Sequence, residues 1–512
     1  MVTMVFYTIC HAIYNIYLHP LRAFPGPKLW FTSVLFRHVA AMRGRLDWDL
    51  QRFHERYGEV VRFSPDELSF IGEQAWRDIY GNRDHRPLEK DPAWYDVAKI
   101  ADQATTVWTA DGPDHVRLRR LLSPAFSDKA LRDQEARIRS YVDLLVVRLR
   151  GLARAGQPVD MVQWYNFTTF DIIGDLALGK PFGCLRGGRY HGWVKGLFDA
   201  IKIGPFTRTV SAYTDVRTVL GLLAPTALRE AWARHAAYVA DAARERVQKG
   251  VMAERRDFLS YILQTMREDN AAAHGQGQGQ GDAVTDQEIA ANCSFFLIAG
   301  SETVATALSG ITYHLLRNPD VLETLVAEIR SAFAREDDIT LASTGATPLP
   351  YLQACIAEGL RLYPPGPSLL PRRTPRGETI DIAGYPVPGW TAVGVHVLSA
   401  TRSAQNFHAP ERFLPERWLG PSAPASPFRH DRRGASQPFG TGPRACLGKS
   451  LAYHEMRLIL ARILWGFDLE LCGGAAEAWD RQRVYTLWEK GALMCRLRVR
   501  DGGVGEDSES CE

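Results

Sequence analysis

Between Thr285 and about Arg317 the sequence holds a helical apolar pattern without a break, and Pro319 follows directly. Thr285 with Glu288 three residues later forms a capping box, in which hydroxyl and carboxylate each satisfy a backbone N–H at the helix start. At 1.5 Å per residue the helix is roughly 48 Å long, enough to cross an entire domain. Its window from Asn292 to Ile311 carries one charge, Glu302. A membrane span competes for this window. Seven polar positions in it (Asn292, Ser294, Ser301, Glu302, Thr303, Thr306 and Ser309) favour a buried core helix with a polar step at Ala299-Gly300-Ser301-Glu302-Thr303.

A second constraint is Pro438-Phe439-Gly440-Thr441-Gly442-Pro443-Arg444-Ala445-Cys446-Leu447-Gly448. A lone cysteine is more often a small buried hydrophobe than a ligand. Here two glycines and a proline prescribe a tight, irregular turn, because glycine reaches positive φ without steric cost. The run from Leu447 to Trp465 then reads as a helix. A sulfur at that junction faces free backbone N–H groups, which favours the thiolate. Structural zinc needs four ligands, and His454 is the nearest candidate, so a haem iron suits this single thiolate better.

The pattern Phe-x-x-Gly-x-Arg-x-Cys-x-Gly, met by Phe439, Gly442, Arg444, Cys446 and Gly448, resembles the haem-binding signature of the cytochrome P-450 family. The resemblance implies a mainly α fold with a smaller β part in one large catalytic domain, haem (iron protoporphyrin IX) as cofactor and Cys446 as the metal ligand. In that picture Phe439 shields the sulfur, Gly442 makes the turn, Arg444 pairs a haem propionate, and Gly448 lets the helix backbone approach the porphyrin.

Other motifs extend the resemblance over nearly the whole chain. Ala299-Gly300-Ser301-Glu302-Thr303 is similar to the family's oxygen-activation motif, which implies that Thr303 hydrogen-bonds at the bound oxygen or a water. Glu302 then connects that site to solvent protons, and Gly300 leaves room for oxygen and lets the helix kink. In Asp114-His115-Val116-Arg117-Leu118-Arg119-Arg120, Arg119 stands where the family carries a propionate-binding arginine, and His115 replaces the common tryptophan four positions earlier. Glu358-x-x-Arg361 with Arg417 resembles the buried network that fixes the haem-binding core. The stretch Gly366 to Arg373 resembles the segment along the haem edge, making Arg372 a propionate partner and turning Leu369 and Leu370 toward substrate.

Composition agrees with a globular enzyme. Hydrophobic residues make 46% and charged residues 23% of 512, and a net charge of +3 from 61 basic and 58 acidic side chains argues against nucleic acid as a partner. Eight scattered cysteines without CxxC pairs fit a reducing compartment. Residues 1–21 carry no Lys, Arg, Asp or Glu and read as a short membrane anchor interrupted by His11 and Asn15. Residues 22–28, with Pro25-Gly26-Pro27, read as a proline-rich hinge, 29–500 as the haem-thiolate domain, and the acidic 501–512 as a disordered tail. Glu59 to Phe70 reads as a hairpin, 114–153 and 226–268 as helical, 275–281 as a low-complexity loop, and 381–397 as short strands and turns.

Together these features predict a membrane-tethered monooxygenase that hydroxylates or epoxidises an apolar small molecule, resembling filamentous-fungal members that tailor terpenoids and polyketides. With no flavin or nicotinamide domain after residue 500, electrons are expected from a separate NADPH-dependent reductase of the endoplasmic reticulum, the catalytic domain facing the cytosol. Substrate selectivity is expected in about 92–113, 190–225 and 485–489. The rival readings are a haem-thiolate isomerase or dehydratase that needs no dioxygen, and a non-enzymatic haem sensor.

Overall fold

The computed structural model describes residues 2–81, 87–95, 104–192, 204–210, 212–213, 226–250, 256–276, 284–420, 426–473 and 478–500. The 501–512 tail, much of the low-complexity loop and large parts of the first two selectivity regions lie outside them. Helices dominate, and the strands gather into small sheets.

One unbroken helix, Asp286–Arg317, runs through the core with Thr285 as its cap. The Thr285 hydroxyl accepts from Glu288 N at 3.1 Å, and Thr285 N donates to the Glu288 carboxylate at 2.9 Å. Around the helix pack Met161–Leu178, Thr226–Gln248, Pro350–Leu362 and Lys449–Gly466. Met161–Leu178 is buried along almost its whole length, with buried polar side chains bonded internally, as Asp171 is to Cys184 N and Leu185 N. The two helices approach closely at Gly300, where an added Cβ would lie 2.6 Å from Ile173 Cδ1. The expected role of Gly300 in making room for oxygen is therefore corrected: its open side is filled by the neighbouring helix.

The helical stretch 114–153 is broken. Gly112–Leu122 ends in a 3-10 turn at Ser123–Phe126, where Pro124 cannot donate a helical hydrogen bond, and Asp128–Arg154 restarts under a Ser127 cap. The stretch 226–268 likewise divides into Thr226–Gln248 and Phe258–Gln276, with Gly250 at φ +66° in between.

Strands β1 (Val60–Ser64) and β2 (Glu67–Phe70) form the expected hairpin, paired from Val60↔Phe70 to Ser64↔Glu67. Adding β3 (Glu89–Lys90), β5 (Arg372–Arg373) and β8 (Ala392–Val395) gives one five-stranded sheet in the order β1-β2-β8-β5-β3. Its register sets Lys90 directly across from Arg372. A second sheet joins β4 (Val159–Asp160), β12 (Met494–Val499) and β9 (Phe467–Leu471), while β6 (Ile380–Ile382) pairs with β7 (Tyr385–Val387) and β10 (Val484–Tyr485) with β11 (Leu487–Trp488).

A buried ionic network ties the helices to the loop that precedes the cysteine. Glu358 accepts from Arg361 Nε and Nη2, both at 2.8 Å, from Arg417 Nε at 3.0 Å and from Trp418 Nε1 at 2.9 Å. Arg361 also donates to the carbonyls of Thr401, Pro410 and Arg412. Burial raises the Glu358 pKa, but the two guanidinium groups more than offset this and hold it below its ordinary value.

At the N-terminus, Val2–Tyr17 is a 16-residue helix whose apolar side chains are mostly exposed. Its Asn15 is buried, pairs with His11 at 3.2 Å, and offers its carbonyl to the buried Arg62 at 2.9 Å. The proline segment is fastened to β1, since Arg62 N donates to Pro25 O at 2.8 Å. Among the described residues only Asp286–Arg317 is long and apolar enough to cross a membrane; 72% of its most apolar window is buried in the protein, which makes it the core helix expected.

Candidate active site

Phe439 to Gly448 form an irregular loop ahead of Lys449–Gly466, whose helix starts two residues later than expected. Gly442 is the tightest point: its φ is +74°, and an added Cβ would lie 2.0 Å from the Tyr80 carbonyl oxygen. Cys446 N donates to Phe439 O at 2.8 Å, closing the loop on itself, and the Phe439 ring packs 5.1 Å from that of Tyr453. Gly448 has no such constraint, for an added Cβ would meet only Phe126 at 3.9 Å.

The Cys446 side chain is exposed, yet enough protein surrounds its sulfur that burial pushes the thiol pKa up. The Gly448 N–H and the charges of Arg119 and Lys449 pull it back only in part. Helix-terminus stabilisation of the thiolate is thus present, as expected, but does not win; a metal at the sulfur would displace the proton instead.

Beside the loop, cations converge from four segments. Arg119 on Gly112–Leu122 donates to Ala445 O at 2.6 Å, next to the cysteine. Arg444 donates to Leu88 O at 2.6 Å and pairs with Asp111. Arg372 donates to the Tyr95 hydroxyl at 2.8 Å. Lys90 donates through Nζ to the carbonyls of Trp108 at 2.7 Å and Ala110 at 2.5 Å. Burial, with Arg444 and Arg372 nearby, pushes the Lys90 pKa down to about 7. Burial and the charges of Lys90, Arg444 and Arg119 push His115 to about 4, so it is a neutral imidazole at pH 7. Asp111 is the carboxylate inside this group.

The core helix keeps partial exposure along one stripe, with Phe295, Ile298, Ala299 and Thr303 at helical spacing. Trp108 stacks on Phe295 at 5.9 Å, and Asn292 Oδ1 accepts from Val107 N at 2.9 Å, which pins the 106–110 turn to this helix. Phe126 lies between Gly448 and Phe296, 5.4 Å from the latter ring, and so links the cysteine loop to the helix. Leu369 and Leu370 are half-buried. The Thr303 hydroxyl donates to Ala299 O at 2.7 Å, leaving its oxygen lone pairs to accept. Glu302 is buried, and its carboxylate meets Lys490 rather than solvent.

A family model described as Cytochrome P450 matches residues 24–494. The chain belongs to the cytochrome P450 family. It is 44% identical over 95% of its length to a trichothecene C-4 hydroxylase of Trichoderma arundinaceum, covering 94% of that protein. It is 42% identical to the cytochrome P450 monooxygenase olcB of Penicillium canescens, over 96% of each chain, and 43% identical to astA of Talaromyces wortmannii, over 96% of this chain and 94% of the relative. This P450 is accordingly a monooxygenase of the fungal secondary-metabolism type, and the family implies a haem-thiolate cofactor, a redox partner and a small-molecule substrate.

The residues present fit haem. The loop presents one sulfur, and the guanidinium groups of Arg119, Arg372 and Arg444, with Lys90 beside them, outnumber the neighbouring carboxylates Asp111 and Glu89, which suits a group bearing two carboxylates. Among the described residues no contact requires glycine at 448, which leaves that side of the loop free for a flat ligand. Sequence reasoning missed Lys90, Asp111 and Lys490. Lys90 carries one signal only, its place in a short strand opposite Arg372, and that register is invisible without the fold.

Proposed function

We propose that this P450 inserts one oxygen atom of dioxygen into a C–H or C=C bond of an apolar fungal secondary metabolite, a terpenoid or polyketide, with Cys446 as the iron ligand. The observation that carries this reading is the exposed sulfur of the Gly442–Gly448 loop set beside a cluster of buried and half-buried cations. Haem held there would supply the binding and cleavage of dioxygen, chemistry that a thiolate ligand favours.

The chain's own residues do the rest. Arg444, Arg372 and Arg119, with Lys90 and the neutral imidazole of His115, would hold the propionates and fix the ring's orientation. Phe439, whose carbonyl accepts from Cys446 N, would shield the sulfur from water once haem is bound. Phe295, Ala299, Leu369 and Leu370 give an apolar wall that orients substrate, and Thr303 accepts and passes on protons that reach it by way of the buried Glu302 carboxylate. Electrons come from a separate NADPH-dependent reductase. The exposed apolar face of Val2–Tyr17 supports tethering to the endoplasmic reticulum membrane, with the catalytic domain in the cytosol.

Expression with a reductase and a panel of terpenoids and polyketides tests the reading. One labelled oxygen per product from isotopic dioxygen, dependent on NADPH, is expected. The Cys446→Ala variant should lose both product and the strongly red-shifted Soret band of the reduced carbon monoxide complex. Conversion without NADPH or dioxygen would replace the monooxygenase by an isomerase or dehydratase.

A further inference from the structure

Glu302 and Lys490 stand 188 residues apart in the chain and meet as a buried ion pair. Lys490 Nζ lies 2.5 Å from Glu302 Oε1, and each side chain is 4% exposed. The same ammonium donates to Thr306 Oγ1 at 2.6 Å, and that hydroxyl lies 3.4 Å from Oε1. The second carboxylate oxygen, Oε2, is buried and has no hydrogen-bond partner among the described residues. Lys490 sits in the loop between β11 and β12, which is pinned on both sides: Glu489 N donates to Arg483 O at 2.9 Å, and Leu493 N to Asp160 Oδ1 at 3.0 Å.

A buried pair of this kind contributes little net stability, because desolvation offsets most of its attraction. What it does fix is geometry. Thr306 lies one turn beyond Glu302, so lysine, hydroxyl and carboxylate form a triangle on the flank of the half-exposed stripe that ends at Thr303. One carboxylate oxygen is thereby occupied and the other left over.

We propose that Lys490 is a positioning residue for the oxidation: by holding Oε1 together with Thr306 it keeps Glu302 a carboxylate and keeps Oε2 free to take up protons bound for Thr303. This rests on the assignment of Glu302 and Thr303 as the proton-carrying pair. A proton accepted by Oε2 from water passes on to a water or hydroxyl at Thr303, the carboxylate returns to its starting state, and Lys490 retains its own proton throughout. The other titratable groups facing the pair are Asp160, Tyr190 and Tyr363. Burial pushes the Lys490 pKa down while Glu302 and then Asp160 favour its charge, and the two phenols carry none at neutral pH, so the 2.5 Å contact with Lys490 is what the carboxylate has for a counter-cation.

The test uses full-length haem-loaded enzyme with reductase and a turned-over substrate, comparing Lys490→Met, Lys490→Arg, Glu302→Gln and the Lys490→Met/Glu302→Gln double variant. Lys490→Met should keep the carbon monoxide spectrum while product per NADPH falls several-fold and hydrogen peroxide rises, an effect within the roughly 10²-fold range of one general-acid group. Infrared difference spectra against the double variant should show a protonated carboxyl at neutral pH in Lys490→Met and none in the wild type, since a carboxylate buried without its cation takes up a proton. Lys490→Arg should restore both signals, and the double variant should be no worse than Glu302→Gln. Full coupling in Lys490→Met while Glu302→Gln uncouples would overturn the proposal alone. Full coupling in Glu302→Gln would overturn the proton-pair assignment and the proposal with it. If Lys490→Met fails to hold haem, Lys490→Gln, which keeps a donor without a charge, carries the same comparison.

Discussion

Gly442 and Gly448 lie six residues apart in one loop and differ in what they tolerate. At Gly442 an alanine would have to adopt φ +74° and push against the Tyr80 carbonyl oxygen at 2.0 Å, backbone that cannot rotate away. Gly442→Ala should destabilise the protein by about 1–3 kcal/mol or more, seen as a lower Tm and as faster haem loss. At Gly448 an added methyl meets only Phe126 at ordinary contact distance. Gly448→Ala should therefore leave the Tm of the haem-free protein unchanged and alter only haem affinity or spectrum. Equal loss of haem-free stability in both variants would mean that Gly448 is needed for folding. The loop was legible in the sequence because its turn residues, arginine and cysteine are contiguous. Lys90 and Lys490 were not, since single lysines acquire meaning only through partners brought in by strand register or from 188 residues away. The Cys446 thiol shows the same limit: its helix-terminus N–H could be inferred, but the burial that outweighs it could not.

Between elements, the Glu358 carboxylate joins helix Pro350–Leu362 to the turn Pro415–Trp418 and to Leu414 N at 2.9 Å. All three charged side chains, Glu358, Arg361 and Arg417, are fully buried. Glu358→Ala would leave two guanidinium groups buried without that carboxylate, and a loss of about 3–5 kcal/mol is expected in denaturant unfolding, with Glu358→Gln intermediate. Because the native pKa of Glu358 lies below its unfolded value, its contribution is complete above the unfolded pKa and is lost as pH falls through the native one. The acid limb of the wild-type stability profile should accordingly flatten in Glu358→Gln. At this scale the core helix was legible to its ends, because the capping box and Pro319 bound it chemically. The break at Ser123–Phe126 was not, since the apolar spacing continues across Pro124 and only the proline's missing N–H ends the helix.

For the whole molecule, the N-terminal segment holds two parts that composition cannot separate. Val2, Met4, Val5, Phe6, Ile9 and Ile13 are at least half exposed and form the face suited to lipid, whereas Leu21 and Phe24 belong to the core around β1, β2 and β8. The boundary falls inside the helix, at Asn15, whose carbonyl serves the buried Arg62 while the guanidinium stacks 4.4 Å over Phe31. Cutting at the proline hinge would remove Leu21 and Phe24, each contributing about 1.5–3 kcal/mol by burial, along with the Arg62 acceptor. Deletion of residues 2–13 is therefore expected to move the protein to the soluble fraction with Tm and carbon monoxide spectrum unchanged. Deletion of residues 2–28 should solubilise it too, but with Tm lowered by the loss of about 3–6 kcal/mol of apolar burial. Equal thermal stability of the two truncations would show that Arg62 and the Leu21–Phe24 turn do not hold the sheet. A 2–13 deletion that stayed in the membrane fraction would move the anchoring surface to Leu29 and Leu35, exposed at 62% and 51% on the segment that follows.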